Sequence, residues 1–336
     1  MNVSSALQIG KTDSFEEERE VLRKAFLERE GLHKTPLIPL PVDASKRRYF
    51  RLPKALLMDA PPPHEKTTPF QLIAELLNEV GLSVPLIYAA DHTHGFMLIE
   101  DFGEIPYRKA LQEGVCEKLL YGETLKALIH LHRRMDKNTR GLSSYDLDLF
   151  LGNATLFIDW YDLPFSDEAK SDFKNVWEEV YRSQPHLPQS LLLKDVMIDN
   201  LLWLPSRLGF NRCGFIDFQD AVWGPLSYDL VSLLEDARRE ISLGFAQEML
   251  EIYFNAFPDL SRQDFWASYS LWGAQRCTRI LGVFSRLAKR DGKSQYLEHL
   301  PRLWAYLERD LQHPTLHPVR QWFDTYANEK LRRGQL

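Results

Sequence analysis

Cysteine is scarce: only Cys116, Cys213 and Cys277 occur in 336 residues, and no two stand in a Cys-x-x-Cys pair. That spacing offers neither a disulfide framework nor a zinc site, and it fits a reducing compartment. No run of 18 apolar residues occurs, and the opening MNVSSALQIGKTDSFEEERE lacks the apolar core of a secretory leader. Neither a membrane span nor secretion is expected, and a cytoplasmic location is. The Gly-x-x-x-x-Gly-Lys-Ser/Thr pattern is absent, which removes a P-loop NTPase. So is Gly-x-Ser-x-Gly, which removes the usual serine hydrolase. Excess positive charge is missing as well. The net charge is −6, and the clusters Lys46–Arg48 and Lys330–Arg333 are too short to outvote it. Nucleic acid and membrane surfaces are therefore not expected partners, and no obligate protein partner is evident.

What is present describes a globular chain with a core: 44% hydrophobic and 26% charged residues over a length that suits two packed lobes. Ser14, followed by acidic residues and then Val21, Leu22, Ala25 and Phe26, predicts a helix over 14–30. From Leu37 the texture turns to short β-like runs: LIPLPV, RYFRL and ALLMDA, the first two joined by a polar loop at Asp43–Arg48. Ala60-Pro-Pro-Pro stops the third run, since proline cannot continue a ladder. A helix over 69–80 precedes two more strands, VPLIYAA and GFMLIEDF. Five short strands with one helix inserted after the third predict a small antiparallel sheet lobe over 1–102, with a hinge near Glu100–Gly103. Residues 103–336 then form a large helical lobe, with helices over 107–136, 146–162, 166–183, 226–239, 243–256, 262–290 and 294–311. The fold class is α+β.

Helical texture lapses at 190–222, and there the chemistry concentrates. LLLKDVMIDNLLWLP places Asp195 after an apolar strand and Asn200 five residues on; GFIDFQDAVWGP places Asp217 at the end of another. Phosphoryl transfer from ATP asks a protein mainly for positioning and charge neutralisation. One carboxylate orients and deprotonates the attacking hydroxyl, while a carboxylate and an amide oxygen hold hard Mg²⁺ ions. Asp195, Asn200 and Asp217 supply that set. Each alone reads equally well as a turn former at a strand end; the conjunction behind a five-stranded lobe does not.

The chain resembles the aminoglycoside phosphotransferase/choline kinase-like family, whose fold is protein kinase-like. Within that family it is most similar to the bacterial anomeric kinases of N-acetylmuramate and N-acetylglucosamine. Asp43-Ala-Ser, Arg47–Arg51, Met58-Asp-Ala-Pro-Pro, Ile216-Asp-Phe-Gln-Asp-Ala221 and Gly224-Pro carry the likeness, with Tyr228–Ser232, Gln275-Arg276, Gly282-Val-Phe and Arg290-Asp-Gly-Lys293 further on. The resemblance implies an ATP- and Mg²⁺-dependent kinase of a small hydroxylated acceptor, a sugar first. Asp195 would be the base, Asn200 and Asp217 the metal ligands, and Ser45 the cover over the phosphates. Backbone groups of Glu100 and Phe102 would meet adenine.

Two positions depart from the pattern. Leu193 stands where the family usually has His, and Met58 where kinase-like folds place a phosphate-gripping lysine, so Arg47, Arg48 or Lys46 is expected to supply that charge. Asp220, Trp223, Gln275 and Arg276 are candidate acceptor contacts; Arg279 shares the helix face of the last two. Asp229 is expected to cap a helix beginning near Leu230. His130 and His132, two apart on a helix, face different ways and cannot clamp a metal. Choline or aminoglycoside acceptors, and a non-catalytic nucleotide-binding module, are the competing readings.

Overall fold

The structure, a computed structural model, describes residues 3–41, 46–135, 141–161 and 163–327, without the side chains of 3–14. Contacts divide the chain into two compact units, Met1–Ile105 with Gly214–Asp220, and Pro106–Cys213 with Ala221–Leu336.

In the first unit, β1 (Ile38–Pro39), β2 (Arg48–Arg51), β3 (Ala55–Asp59), β4 (Ile87–Asp91) and β5 (Phe96–Glu100) form one antiparallel sheet in the order β1-β2-β3-β5-β4. Met58 sits opposite Met97 in the register, and both are 0% exposed. This position therefore belongs to the core, where a lysine would have to be paired or neutral. Helix α2 (Thr68–Val80) buries Phe70, Ile73, Ala74 and Leu77, the i, i+3, i+4, i+7 stripe of an amphipathic helix. Helix α1 runs Val3–Arg29, a longer span than the 14–30 its apolar pattern announces. Phe26 and Leu27 of α1 join the cluster of Leu52, Leu57, Phe96 and Leu98. Above them Arg19 and Arg23 meet the buried Asp59 of β3 at 2.5 and 3.1 Å.

The second unit is helical: α3 (Tyr107–Gln112), α4 (Glu117–Arg134), α5 (Leu147–Trp160), α6 (Asp167–Arg182), α7 (Ser227–Leu234), α8 (Leu243–Ala256), α9 (Arg262–Asp291), α10 (Leu300–Asp310) and α11 (His317–Tyr326). The helix read over 107–136 is broken, because Gly114 takes a left-handed φ of +87°. The stretch at 294–311 opens as a 3-10 turn, Ser294–His299, before α10 begins. Helix α7 stops at Leu234 rather than 239, and α11 is an additional helix beyond the last one expected, 294–311. Its Val319, Trp322 and Phe323 join an aromatic core with Phe157, Phe173 and Trp304. At Gly282 a Cβ would lie 2.3 Å from the Leu156 backbone, so only glycine lets α9 pass α5 this closely.

Four short strands interrupt the helices: β6 (Gln189–Leu192), β7 (Leu201–Trp203), β8 (Cys213–Phe215) and β9 (Val222–Pro225). β6 pairs antiparallel with β9, Leu192 opposite Val222. No helix among the described residues is long and apolar enough to cross a membrane.

Candidate active site

Asp195 lies on the loop that leaves β6. Lys194 turns the chain with a φ of +71°, a conformation that costs a non-glycine residue about 1–2 kcal/mol. Asp229 of α7 holds it there, its carboxylate accepting from the Leu193 N–H at 2.7 Å and the Lys194 N–H at 2.9 Å. The expected cap is a loop anchor instead. Leu193 itself is buried, and the anchor reaches the loop through its backbone, so the side chain at that position need only pack. Further along, Asp236 accepts from the Ile198 N–H at 3.1 Å and the Arg238 N–H at 2.8 Å. Asn200 closes the loop on itself, Nδ2 donating to the Asp195 carbonyl at 2.9 Å.

Two arginines of α9 face the Asp195 carboxylate: Arg279 at 3.6 Å and Arg276 at 3.8 Å. Both lie beyond hydrogen-bond reach, so they supply field without occupying the oxygens that a base needs. Burial works to raise the pKa of Asp195, but Arg279, Arg276 and Lys194 outweigh it and hold the carboxyl below its ordinary value. Arg276 is 1% exposed, and its Nε and Nη1 have no hydrogen-bond partner among the described residues. A buried guanidinium with open donors is costly unless a ligand fills them. Gln275 is differently employed: fully buried, it donates to the Phe150 carbonyl at 3.0 Å and supports packing against α5. Trp223 is buried on β9 opposite Leu191.

In the first unit, Asp217 is exposed, has a φ of +61° and accepts from Gln219 Nε2 at 2.8 Å. Phe218 beside it packs against Phe70 of α2, the rings tilted and their centres 4.9 Å apart. Arg47 pairs with Glu65 at 3.0 Å, both largely buried. The Tyr49 phenol senses Arg47, Asp217 and Glu65, and is pushed up to about 12 chiefly by burial. Arg47 and Asp217 thus share one neighbourhood, which Glu65, unread in the sequence, completes. Arg48 points elsewhere, to Glu16 of α1. Around the expected hinge, Arg51 grips Asp101 at 2.6 and 3.2 Å, and the Glu100 N–H donates to the Leu86 carbonyl at 2.8 Å. Phe102 is half-buried and Asp220 exposed; Ser45 lies outside the described residues.

His130 stacks on Phe210, and His132 bonds the Tyr253 hydroxyl at 2.7 Å, burial dropping its pKa to about 3. Neither shares a metal cluster. Among the described residues, the His, Cys, Asp and Glu side chains close enough to share an ion are Glu235, Cys277 and Asp310. There burial raises all three pKa values and Arg309 pairs with Glu235 at 2.6 Å, so the group belongs to the core.

A five-stranded antiparallel sheet, a helical unit and a pinned aspartate after an apolar strand are the parts of a small-molecule phosphotransferase. The model of the phosphotransferase enzyme family matches residues 36–266, and the chain belongs to that family. It is 33% identical to an N-acetylmuramate/N-acetylglucosamine kinase of Caulobacter vibrioides, over 94% of this chain and 99% of that protein. The like-named kinase of Pseudomonas aeruginosa is also 33% identical, over 81% and 82%. Among solved structures, a choline/ethanolamine kinase family protein from Mesorhizobium loti superposes with a TM-score of 0.59 at 14% identity, covering 86% of this chain and 92% of that one. The chain is a small-molecule kinase with the protein kinase-like fold of these relatives.

Proposed function

We propose that this kinase moves the γ-phosphoryl group of Mg²⁺-bound ATP to a hydroxyl of an amino sugar, N-acetylmuramate or N-acetylglucosamine, in the cytoplasm. The observation that carries the reading is Asp195: an ionised carboxylate whose oxygens no arginine occupies, on a loop fixed by Asp229 and Asp236. A sugar hydroxyl donating to it would be oriented and stripped of its proton as its oxygen bonds to phosphorus, while the electrons of the breaking P–O bond leave with ADP. Arg276 and Arg279 keep the base anionic until that moment.

Asn200 and Asp217 are the residues we assign to Mg²⁺. The Asn200 amide nitrogen is committed to the loop, which leaves its oxygen, and carboxylate and amide oxygens are the hard donors this ion takes. A Mg²⁺ ion held by donors of this kind would neutralise charge on the phosphates. Arg47, steadied by Glu65, is our candidate for the cation missing at Met58, with Ser45 and Arg48 beside it in sequence. Glu100 and Phe102 remain the adenine contacts, and 1–102 and 103–336 the functional lobes.

Cationic acceptors fit less well, because Arg279, Arg276, Lys194 and Arg238 all bear on Asp195. An ADP-release assay across N-acetylmuramate, N-acetylglucosamine, choline and an aminoglycoside tests the reading. Turnover with either amino sugar supports it. Thermal stabilisation by Mg-ATP with no ADP formed from any of the four would instead favour a non-catalytic nucleotide-binding module.

A further inference from the structure

A second concentration of positive charge lies in the helical unit, in a cavity of about 480 Å³ lined by Arg108, Arg238, Arg239 and Arg302, with Leu111 and Ile198 among its apolar walls. It adjoins the catalytic loop, since Ile198, three residues from the base, lines it and Arg238 reaches Asp199 of the same loop at 3.1 Å. We propose that this cavity is the subsite for a carboxylate on the acceptor, so that the kinase selects an amino sugar bearing an acidic ether arm over its uncharged counterpart. The proposal rests on the amino-sugar reading above and adds to it the feature of the substrate that is recognised.

The charges facing the cavity decide the sign of its ligand. Arg108 and Arg238 share Asp199, at 2.8 and 2.9 Å from the first and 3.1 Å from the second. Arg239 pairs with Glu117 at 2.7 Å, yet its Nε is buried without a hydrogen-bond partner among the described residues. Arg302 has no carboxylate partner among them; it donates to the Ala237 carbonyl at 2.8 Å. Of the remaining acids, Glu240 also lines the cavity but is exposed, so four arginines face one lining carboxylate, and Asp236 is engaged by two backbone N–H groups. His299 reports the resulting field: burial lowers its pKa, and Arg238, Arg302 and Arg108 push the same way against Glu298.

Guanidinium forks match the two oxygens of a carboxylate, and Arg302, part-exposed and paired with no acid among the described residues, offers the fork that protein acids leave open. The volume lies in the range of small-molecule sites. Because three of the four arginines are already held in place by acids, the pocket is preorganised, and little ordering is required when the anion arrives.

The test compares kcat/KM for N-acetylmuramate, which carries a lactyl carboxylate, with N-acetylglucosamine, which does not. The unaltered protein should prefer the muramate. Arg302→Gln should lower the muramate-to-glucosamine ratio by about ten-fold or more, mainly through KM, the loss expected for one charge-assisted contact. Arg302→Lys should recover part of it. Arg239→Gln, read the same way, covers the case in which Arg302→Gln does not fold. A ratio unchanged within about two-fold, or equal losses on both sugars, overturns the subsite while leaving the kinase reading intact. If the unaltered protein releases ADP with neither sugar, the amino-sugar reading itself falls and the subsite falls with it.

Discussion

Asp229→Asn isolates the anchor beneath the base. The native carboxylate accepts two backbone N–H groups, at 2.7 and 2.9 Å, in a fully buried position. Asparagine offers one oxygen there, and its amide nitrogen would confront the second N–H. One buried hydrogen bond is lost and one buried donor orphaned, together about 3 kcal/mol. That is a large part of a typical stability of roughly 5–15 kcal/mol. At about 2 °C per kcal/mol for a chain of this size, the melting temperature should fall by about 6 °C. The functional loss should be greater in proportion. Without its anchor Lys194 can relax from its left-handed conformation, and a base misplaced by about 1 Å costs on the order of 10²-fold in rate. Differential scanning fluorimetry and steady-state ADP release on the same preparations give both numbers. A variant melting within about 1 °C of the parent and turning over within about two-fold would refute the assignment of Asp229 as the device that sets the loop.

Three further outcomes follow from the same geometry. Because Asp195 is held below its ordinary pKa, the base stays ionised at neutral pH, and its contribution to stability is lost only as pH falls through the depressed folded value. The acid limb of kcat/KM due to Asp195 should therefore lie below the usual carboxylate range, and a limb near pH 6 that vanishes in Asp195→Asn would contradict this. Asp59→Asn should destabilise the protein by about 3–5 kcal/mol in denaturant, because Arg19 and Arg23, both nearly buried, lose their shared acid. A cost under about 1 kcal/mol would mean that α1 is not fastened there. Arg47→Met should raise KM for ATP by about ten-fold with a smaller effect on kcat, the worth of one charge-assisted phosphate contact; an unchanged KM would remove Arg47 from the nucleotide site.

The sheet was legible because its strands are short apolar runs divided by strong punctuation, the polar stretch before Arg47 and the proline run after Ala60. The second unit was legible as helical but less so in its joints. Gly114, set among good helix formers, breaks a helix only through the φ it adopts. The start of α1 carries Ser4, Ser5, Gly10, Thr12 and Asp13, weak helix formers that mask it, whereas the stripe of α11, Val319, Trp322 and Phe323 at i, i+3 and i+4, is displayed by the sequence itself. At the site, Asp195, Asn200 and Asp217 stood out by spacing. Asp229 did not, because its partners lie 35 and 36 residues away and its local setting is that of a helix start. Gln275 and Arg276 were adjacent and looked alike, yet one faces the α5 backbone and the other the base, a split that follows from the 100° turn per helical residue. The pairing of Arg47 with Glu65 was hidden by the two strands and the proline run between them.

The most direct test of the account is the turnover of Asp195→Asn with Mg-ATP and the best amino-sugar acceptor. The side chain keeps its size, so nucleotide binding and melting temperature should change little, while kcat should fall by about 10²-fold or more with loss of the base. A variant that keeps more than about a tenth of the parent rate would show that Asp195 is not the group that takes the proton.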